Sequence, residues 1–94
     1  MKLHVHFQVG QVKVNEVVEG ANAEAVVGQM QQRFAQEAGV LIGGLVRRMS
    51  PLQFAREATR RYNAAANDNA PMPDSCEDFV RLGIAKNFAT VLEA

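Results

Sequence analysis

The sequence predicts a small α+β domain in which two to three helices pack on one face of a short antiparallel sheet. The first 20 residues alternate apolar and polar side chains as a β-hairpin does, residues 50–66 carry a complete helix start signal, and a second helical pattern lies between them. We expect the order strand, strand, helix, probable strand, helix, helix and possible strand. With 94 residues, of which 48% are hydrophobic, the chain is expected to form one domain, 1–94.

The N-terminal segment 1–20 is predicted to be the hairpin that begins the sheet. Apolar residues occupy every second position of Lys2–Val9, which is typical of a strand with one buried face. Gly10 and Gln11 can form a two-residue type II′ turn, because glycine readily adopts the positive φ that the first turn position requires. The second strand then returns antiparallel over 12–18.

The register of this hairpin creates one conflict. It places Val14 opposite Phe7, as a buried face requires, but it also places Glu16 beside Val5 on the same apolar face. Because side chains alternate with a period of two, Glu16 cannot turn outward unless the strand gains an extra residue. We therefore expect a β-bulge near Asn15, which brings Glu16 to solvent.

Segment 21–49 is predicted to hold a helix followed by a probable strand. Asn22 is a suitable N-cap, Glu24 complements the helix dipole in the first turn, and Gly39 can end the helix. The apolar residues that recur at helical spacing are Ala23, Val26, Val27, Met30, Phe34 and Ala38.

Residues 40–49, VLIGGLVRRM, admit two interpretations. Their β-branched and apolar composition favours a third, central strand, bent or bulged at Gly43 and Gly44. The alternative is a short helical turn that runs into Ser50. The strand is the interpretation on which the expected element order rests.

The segment 50–66, SPLQFAREATRRYNAAA, is predicted to be an arginine-rich helix. Ser50 is a preferred N-cap, and Pro51 suits the first helical position, where a missing N–H costs no intrahelical bond. Gln53 lies three residues after Ser50, which completes a capping box. No other helix start in the chain combines so many agreeing signals.

The rest of the chain is predicted to contain a loop, a helix and a possible strand. The prolines and polar residues of 67–73 indicate a loop. In segment 74–94, Asp74 or Ser75 can cap a short helix. The end of this segment, 88–92, is either a closing edge strand or one more helical turn.

The charge and the cysteine content of the chain indicate which partners and which compartment to expect. Ten basic and ten acidic residues give zero net charge at pH 7, which argues against non-specific attraction to nucleic acid or anionic lipid. The single cysteine, Cys76, cannot form an intramolecular disulfide and fits a reducing compartment. No stretch approaches the roughly 18 apolar residues that a membrane span needs. We expect a cytoplasmic protein that does not engage a membrane.

Basic residues are concentrated in one part of the chain. Residues 45–66 contain five arginines and one acidic residue, Glu57, so the rest of the neutral chain is net acidic. Arg61 follows Glu57 by four positions, which is the favourable order for an ion pair on a helix. Each guanidinium can donate paired hydrogen bonds to a carboxylate or a phosphate. The predicted partner-binding residues are Arg47, Arg48, Arg56 and Arg60.

We expect a non-catalytic interaction module that forms a homodimer or docks on another protein through these arginines. The alternative is a small nucleic-acid-binding regulator that uses the same arginines on phosphates. A second candidate surface is the strand face that carries His4 and His6. If the first strand lies at the edge of the sheet, its unpaired backbone groups could extend the sheet across a dimer axis.

The histidines and the cysteine lack the neighbouring residues that a metal site or a catalytic site needs. His4 and His6 share one side of the first strand and are weak metal candidates, since a tetrahedral site needs further ligands. Cys76 lies near a predicted helix start, where the dipole lowers the pKa of a thiol, but Glu77 and Asp78 oppose that effect. We find no catalytic or phosphate-binding motif, and so expect neither an enzyme nor a bound cofactor.

Overall fold

The computed structural model describes residues 1–9 and 12–93. Its elements in chain order are β1 Lys2–Val9, β2 Val12–Glu19, α1 Ala23–Glu37, α2 Val40–Arg47, α3 Pro51–Ala66, α4 Cys76–Ala85 and β3 Ala89–Glu93. Within these residues a three-stranded antiparallel sheet packs against four helices, which confirms the α+β class and the N-terminal hairpin. None of these four helices is long and apolar enough to cross a membrane. The turn predicted at Gly10 and Gln11 lies outside the described residues.

β1 is the central strand of the sheet, whose order is β2-β1-β3. β3 pairs antiparallel with β1, so residues 88–92 end in the closing edge strand rather than in a further helical turn. The first strand therefore has a neighbour on both sides, and the premise that it forms an edge of the sheet is wrong. The edges of the described sheet are β2 and β3.

The β-bulge predicted near Asn15 is wrong. β1 and β2 pair without interruption, and Glu16 lies opposite Val5. The strand keeps this register because β2 is an edge strand: the Glu16 side chain remains 39% exposed and its carboxylate lies 2.8 Å from Nε of Arg33 on α1. Arg33 on α1 thus pairs with the charge of Glu16, and the strand needs no extra residue. Val17 is left half-exposed.

The core lies between the sheet and α1, with contributions from α3 and α4. Asn22 caps α1 as predicted, because its side-chain oxygen accepts a hydrogen bond from the backbone N–H of Ala25 at 2.9 Å. The predicted apolar face of α1 is the buried one as far as Phe34. Apolar side chains that are less than 2% exposed include Leu3, Val5, Val18, Val26 and Val27.

Residues 40–47 form a helix, α2, so the strand predicted over 40–49 is wrong. Gly39 has φ 87°, a left-handed conformation that glycine adopts readily, and this permits the turn between α1 and α2. Gly43 packs directly on α1: a methyl group there would lie 2.4 Å from the carbonyl oxygen of Ala35. The glycine that suggested a bent strand thus allows two helices to approach closely. The number of helices rises accordingly from the expected two or three to four among the described residues.

α3 begins with the predicted capping box. Oγ of Ser50 accepts a hydrogen bond from the backbone N–H of Gln53 at 3.1 Å, and Oε1 of Gln53 accepts one from the N–H of Ser50 at 2.9 Å. The helix ends at Ala66, and its C-cap, Asn67, has a φ of 51°, in the left-handed region that asparagine tolerates. The start and the end of α3 are therefore both encoded locally.

The loop predicted over 67–73 has no regular secondary structure and is held by α3. The amide of Asn63 makes two hydrogen bonds of 2.9 Å to the backbone of Ala70, one as donor and one as acceptor. Of the two predicted caps of α4, Ser75 is the one used, since its hydroxyl accepts a bond from the N–H of Asp78 at 3.1 Å.

Candidate interaction site on helix α2

Helix α2 is attached to the protein by one face only. Its buried residues are Gly43 and Val46, three positions apart. Gln31, buried on α1, donates from Nε2 to the carbonyl oxygens of Val46 at 2.7 Å and Met49 at 2.8 Å. Val46 lies in the last turn of α2 and Met49 two residues beyond the helix, so Gln31 holds the end of α2 on α1. The opposite face of α2 is left to solvent.

The exposed face of α2 is apolar. Its exposed hydrophobic residues are Val40 (90%), Leu41 (85%), Leu45 (60%) and Ile42 (55%). These are the four most exposed large hydrophobic side chains in the part of the chain that the structure describes. Spacings of three and four positions place Leu41, Ile42 and Leu45 next to one another on the helix. Proteins normally expose such residues singly, and a contiguous apolar patch marks an interaction site.

Two arginines lie at the C-terminal end of this helix. Arg48 adjoins the apolar face, whereas Nη1 of Arg47 would lie 3.5 Å from a methyl group on Gly43, on the anchored side. Arg47 is the last residue of α2 and Arg48 is its C-cap. Both side chains are exposed, and neither guanidinium binds another of the described residues. Arg48 follows Leu45 by three positions and Leu41 by seven, so it extends the same stripe. Together we name the following residues the α2 surface: Val40, Leu41, Ile42, Leu45, Arg47 and Arg48.

Arg56, also predicted to bind a partner, holds the loop before α4. Its Nη1 donates to the carbonyl oxygen of Pro73 at 2.8 Å and lies 3.6 Å from a carboxylate oxygen of Asp74. The side chain is 45% exposed, so part of the guanidinium still reaches solvent. In the structure this arginine connects α3 to the loop rather than standing free.

Arg60 shares a carboxylate with Arg61. Glu57 accepts hydrogen bonds from Arg60 at 2.5 and 3.1 Å and from Nε of Arg61 at 3.0 Å. The bond from Arg60 is the main cause that lowers the pKa of the Glu57 carboxyl, and it also raises the pKa of the Arg60 guanidinium. The ion pair predicted for Arg61 is confirmed. Of the four predicted partner-binding arginines, Arg47 and Arg48 are therefore the two whose guanidinium groups have no partner among the described residues.

His4 and His6 lie side by side on the strand, as their alternation predicts. Their ring centroids are 5.5 Å apart, and Nε2 of His4 lies 2.7 Å from Oδ1 of Asn15 on β2. Across the described ranges 1–9 and 12–93, no group of three or more His, Cys, Asp or Glu residues is arranged to hold a metal ion. The contact that the structure gives to His4 is thus a cross-strand hydrogen bond.

Cys76 is buried at the first position of α4. Burial is the main cause that raises the pKa of its thiol, and the negative charges of Glu24 and Glu77 raise it further. A raised pKa keeps the thiol protonated and therefore weakly nucleophilic.

An apolar cavity of about 80 Å³ lies between the sheet, α1, α3 and α4, and Tyr62 and Lys86 are among the residues that line it. Both donate to Oδ2 of Asp68, Tyr62 at 2.5 Å and Lys86 at 2.8 Å. The bond from Lys86 is the main cause that lowers the pKa of Asp68. The bonds to Asp68 in turn raise the pKa of Tyr62 and of Lys86. This cluster ties the loop after α3 to the end of α4.

Sequence reasoning identified the two arginines of the α2 surface but not its apolar part. The reason is that the strand predicted over 40–49 divides these side chains between two faces. The signal that could have found the surface is the helical spacing of Leu41 and Leu45, opposite Gly43 and Val46.

Comparison of the chain with models of protein families, with curated proteins and with solved structures found no match.

Proposed function

We propose that this protein is a non-catalytic interaction module that binds another protein through the α2 surface. The observation that carries the proposal is that the four most exposed large hydrophobic side chains of the described residues lie together on α2, while the opposite face of this helix is anchored on α1. Complete burial of a side chain such as Leu41 or Leu45 contributes about 1.5–3 kcal/mol. A partner that covers this stripe therefore gains substantial binding free energy.

The partner that fits this surface is an apolar protein surface bordered by carboxylates. Arg47 and Arg48 lie at one end of the apolar stripe, and each can form charge-assisted, paired hydrogen bonds with a carboxylate. Charges at the border of an apolar contact fix the orientation of the partners and select between them. The proposed partner therefore carries acidic groups at one end of its own apolar contact.

Nucleic-acid binding through the same arginines draws less support. Binding to phosphates requires several basic groups that follow the backbone. Arg56 and Arg60 are already engaged with groups of this protein. Arg47 and Arg48 lie at the end of a helix with an exposed apolar face, which suits a protein surface better than a row of phosphates.

We also propose that the protein is not an enzyme and that it is located in the cytoplasm. The buried thiol of Cys76 is free and has a raised pKa, which favours a packing role over a nucleophilic one. A free cysteine persists most readily in a reducing compartment such as the cytoplasm. Asp68 and Glu57 each bind two cationic or hydroxyl partners, in keeping with structural roles.

The proposal can be tested by photo-crosslinking in the native host. A photoreactive amino acid in place of Leu41 is expected to form a discrete protein adduct, which disappears when Arg47 and Arg48 are both replaced by glutamate. The matched control places the same amino acid at Arg81 on α4, whose side chain is 78% exposed, and should give no such adduct. Equal adducts at both positions, no adduct at Leu41, or an adduct with nucleic acid would contradict the proposal.

A further inference from the structure

We infer that the partner of the α2 surface is a second copy of this chain, in a two-fold symmetric dimer whose α2 helices pack antiparallel. This inference rests on the proposed function of the α2 surface and names its occupant. It follows from the distribution of charge along α2, from the symmetry that a homodimer imposes and from the neutrality of the chain.

Charges of opposite sign flank α2 along the chain. Arg47 and Arg48 lie at its C-terminal end, and Glu37, the last residue of α1, lies three positions before Val40 at its N-terminal end. The Glu37 side chain is exposed and has no ion pair within the described part of the chain. This region therefore has an acidic end, an apolar middle and a basic end.

A two-fold axis perpendicular to α2 makes this arrangement complementary to itself. Such an axis places the N-terminal end of one helix beside the C-terminal end of the other, and every contact occurs twice. Leu41 then faces the partner's Leu45, and Glu37 faces the partner's Arg47 and the partner's Arg48. The oppositely directed helix dipoles also attract each other. A parallel arrangement would instead bring like charges together at both ends.

The neutrality of the chain and the small size of the contact set the expected strength of the dimer. Zero net charge means that no long-range repulsion opposes the approach of two copies. α2 has 8 residues, which at about 1.5 Å per residue make it roughly 12 Å long. Such a helix covers less than the roughly 800 Å² that each partner buries in a standard interface. We therefore expect a concentration-dependent equilibrium between monomer and dimer rather than a permanent dimer.

Charge reversal at the two ends of α2 tests the antiparallel arrangement by sedimentation velocity from micromolar to millimolar protein. One variant carries Glu37→Arg, and the other carries Arg47→Glu and Arg48→Glu. Each variant alone brings like charges together at both ends of the dimer, so we expect its dimer to dissociate at least about tenfold more readily. In an equimolar mixture each end again pairs opposite charges, and dimerisation is expected to return to about the wild-type level. The weakening of each variant alone is what separates the two arrangements, because a parallel wild-type dimer would already pair like charges at both ends. The recovery then shows that the reversed charges meet each other in the dimer.

Two controls keep the experiment decisive. Circular dichroism establishes that the variants are folded, as expected for substitutions of exposed side chains that bind no other described residue. Arg81→Glu, a reversal of an exposed charge on α4, should leave dimerisation unchanged. The effects of the reversals at α2 should also shrink at high salt, which screens charges at the border of a contact.

A wild-type protein that stays monomeric at millimolar concentration would overturn the inference, as would a mixture that fails to recover dimerisation. If the crosslinked adduct at Leu41 contains a different protein, the dimer is excluded but the proposed function of the α2 surface stands. If no adduct forms at Leu41, both fail. Weaker dimerisation of each variant alone and recovery in the mixture, combined with an adduct of twice the mass of the chain, support both.

Discussion

At the scale of single residues, the outward-facing apolar stripe of α2 depends on which side chains occupy its inner face. Gly43 allows the backbone of α2 to touch the Ala35 carbonyl, and Gln31 supplies both donors of its amide to the end of the helix. The inner face thus uses a glycine and one valine, Val46, and the large hydrophobic side chains remain outside. This arrangement is the reverse of an ordinary amphipathic surface helix.

Replacing Gly43 or Gly44 by alanine tests this packing, because the two substitutions should change the free energy of unfolding in opposite directions. Gly43→Ala is expected to lower the free energy of unfolding by about 1–3 kcal/mol, because its methyl group overpacks the contact with Ala35. Gly44→Ala meets no atom within 4 Å and should raise stability by up to about 1 kcal/mol, since alanine is the better helix former. Urea denaturation measures both changes. Effects of the same sign would contradict the close packing of α2 on α1.

At the scale of elements, the helix starts were predictable because each signal and its partner lie within one turn of the chain. Ser50 and Gln53 bind each other three positions apart, and Asn22 reaches Ala25 over the same distance. Propensity and capping rules describe such local contacts directly. These elements need no information from the rest of the fold.

The elements that were mispredicted depend on contacts from another part of the chain. Residues 40–49 have a composition that suits a strand, but Gln31 on α1 bonds the end of the helix, and Gly43 lets the helix pack closely on Ala35. The bulge was predicted in order to bring Glu16 to solvent. Arg33 on α1 pairs with the Glu16 carboxylate instead, so the strand needs no bulge. The apolar part of the candidate site was missed for the same reason, since it exists only when α2 is a helix.

The junction between α3 and α4 should respond to acid through Asp68. The pKa of this carboxyl is lowered in the folded protein by its bonds to Lys86 and Tyr62, and its unfolded value is about 3.9. Its contribution to stability is therefore fully present above about pH 4 and is lost as pH falls toward the folded pKa. Asp68→Asn should lower the melting temperature at pH 7, and its difference from the wild type should shrink below about pH 4.

Thermal unfolding followed by circular dichroism between neutral and acidic pH measures this difference. Glu93→Gln is the matched control, because Glu93 is exposed and forms no ion pair with a described residue. Its melting temperature should follow the wild type over the whole pH range. A difference for Asp68→Asn that stays constant into acid, or that is absent at pH 7, would show that the cluster does not stabilise the junction.

At the scale of the whole molecule, the core and the α2 surface occupy separate places. The sheet, α1, α3 and α4 enclose the buried side chains, whereas α2 packs chiefly on α1 at the outside of this body and contributes Val46 to the core. A partner can therefore cover α2 without disturbing the core, as in complexes whose components bind with little change of backbone. A small domain buries a smaller share of its surface than a large one, so association adds to a limited stability.

The most direct test of the α2 surface is a methyl NMR dilution series of the wild-type protein. We predict that increasing concentration shifts or broadens the methyl signals of Leu41, Ile42 and Leu45. The signals of Val17 and Val91, which are about half exposed on the sheet, should stay unchanged. Changes centred on Val17 and Val91, or signals of α2 that are independent of concentration up to the millimolar range, would contradict self-association through α2.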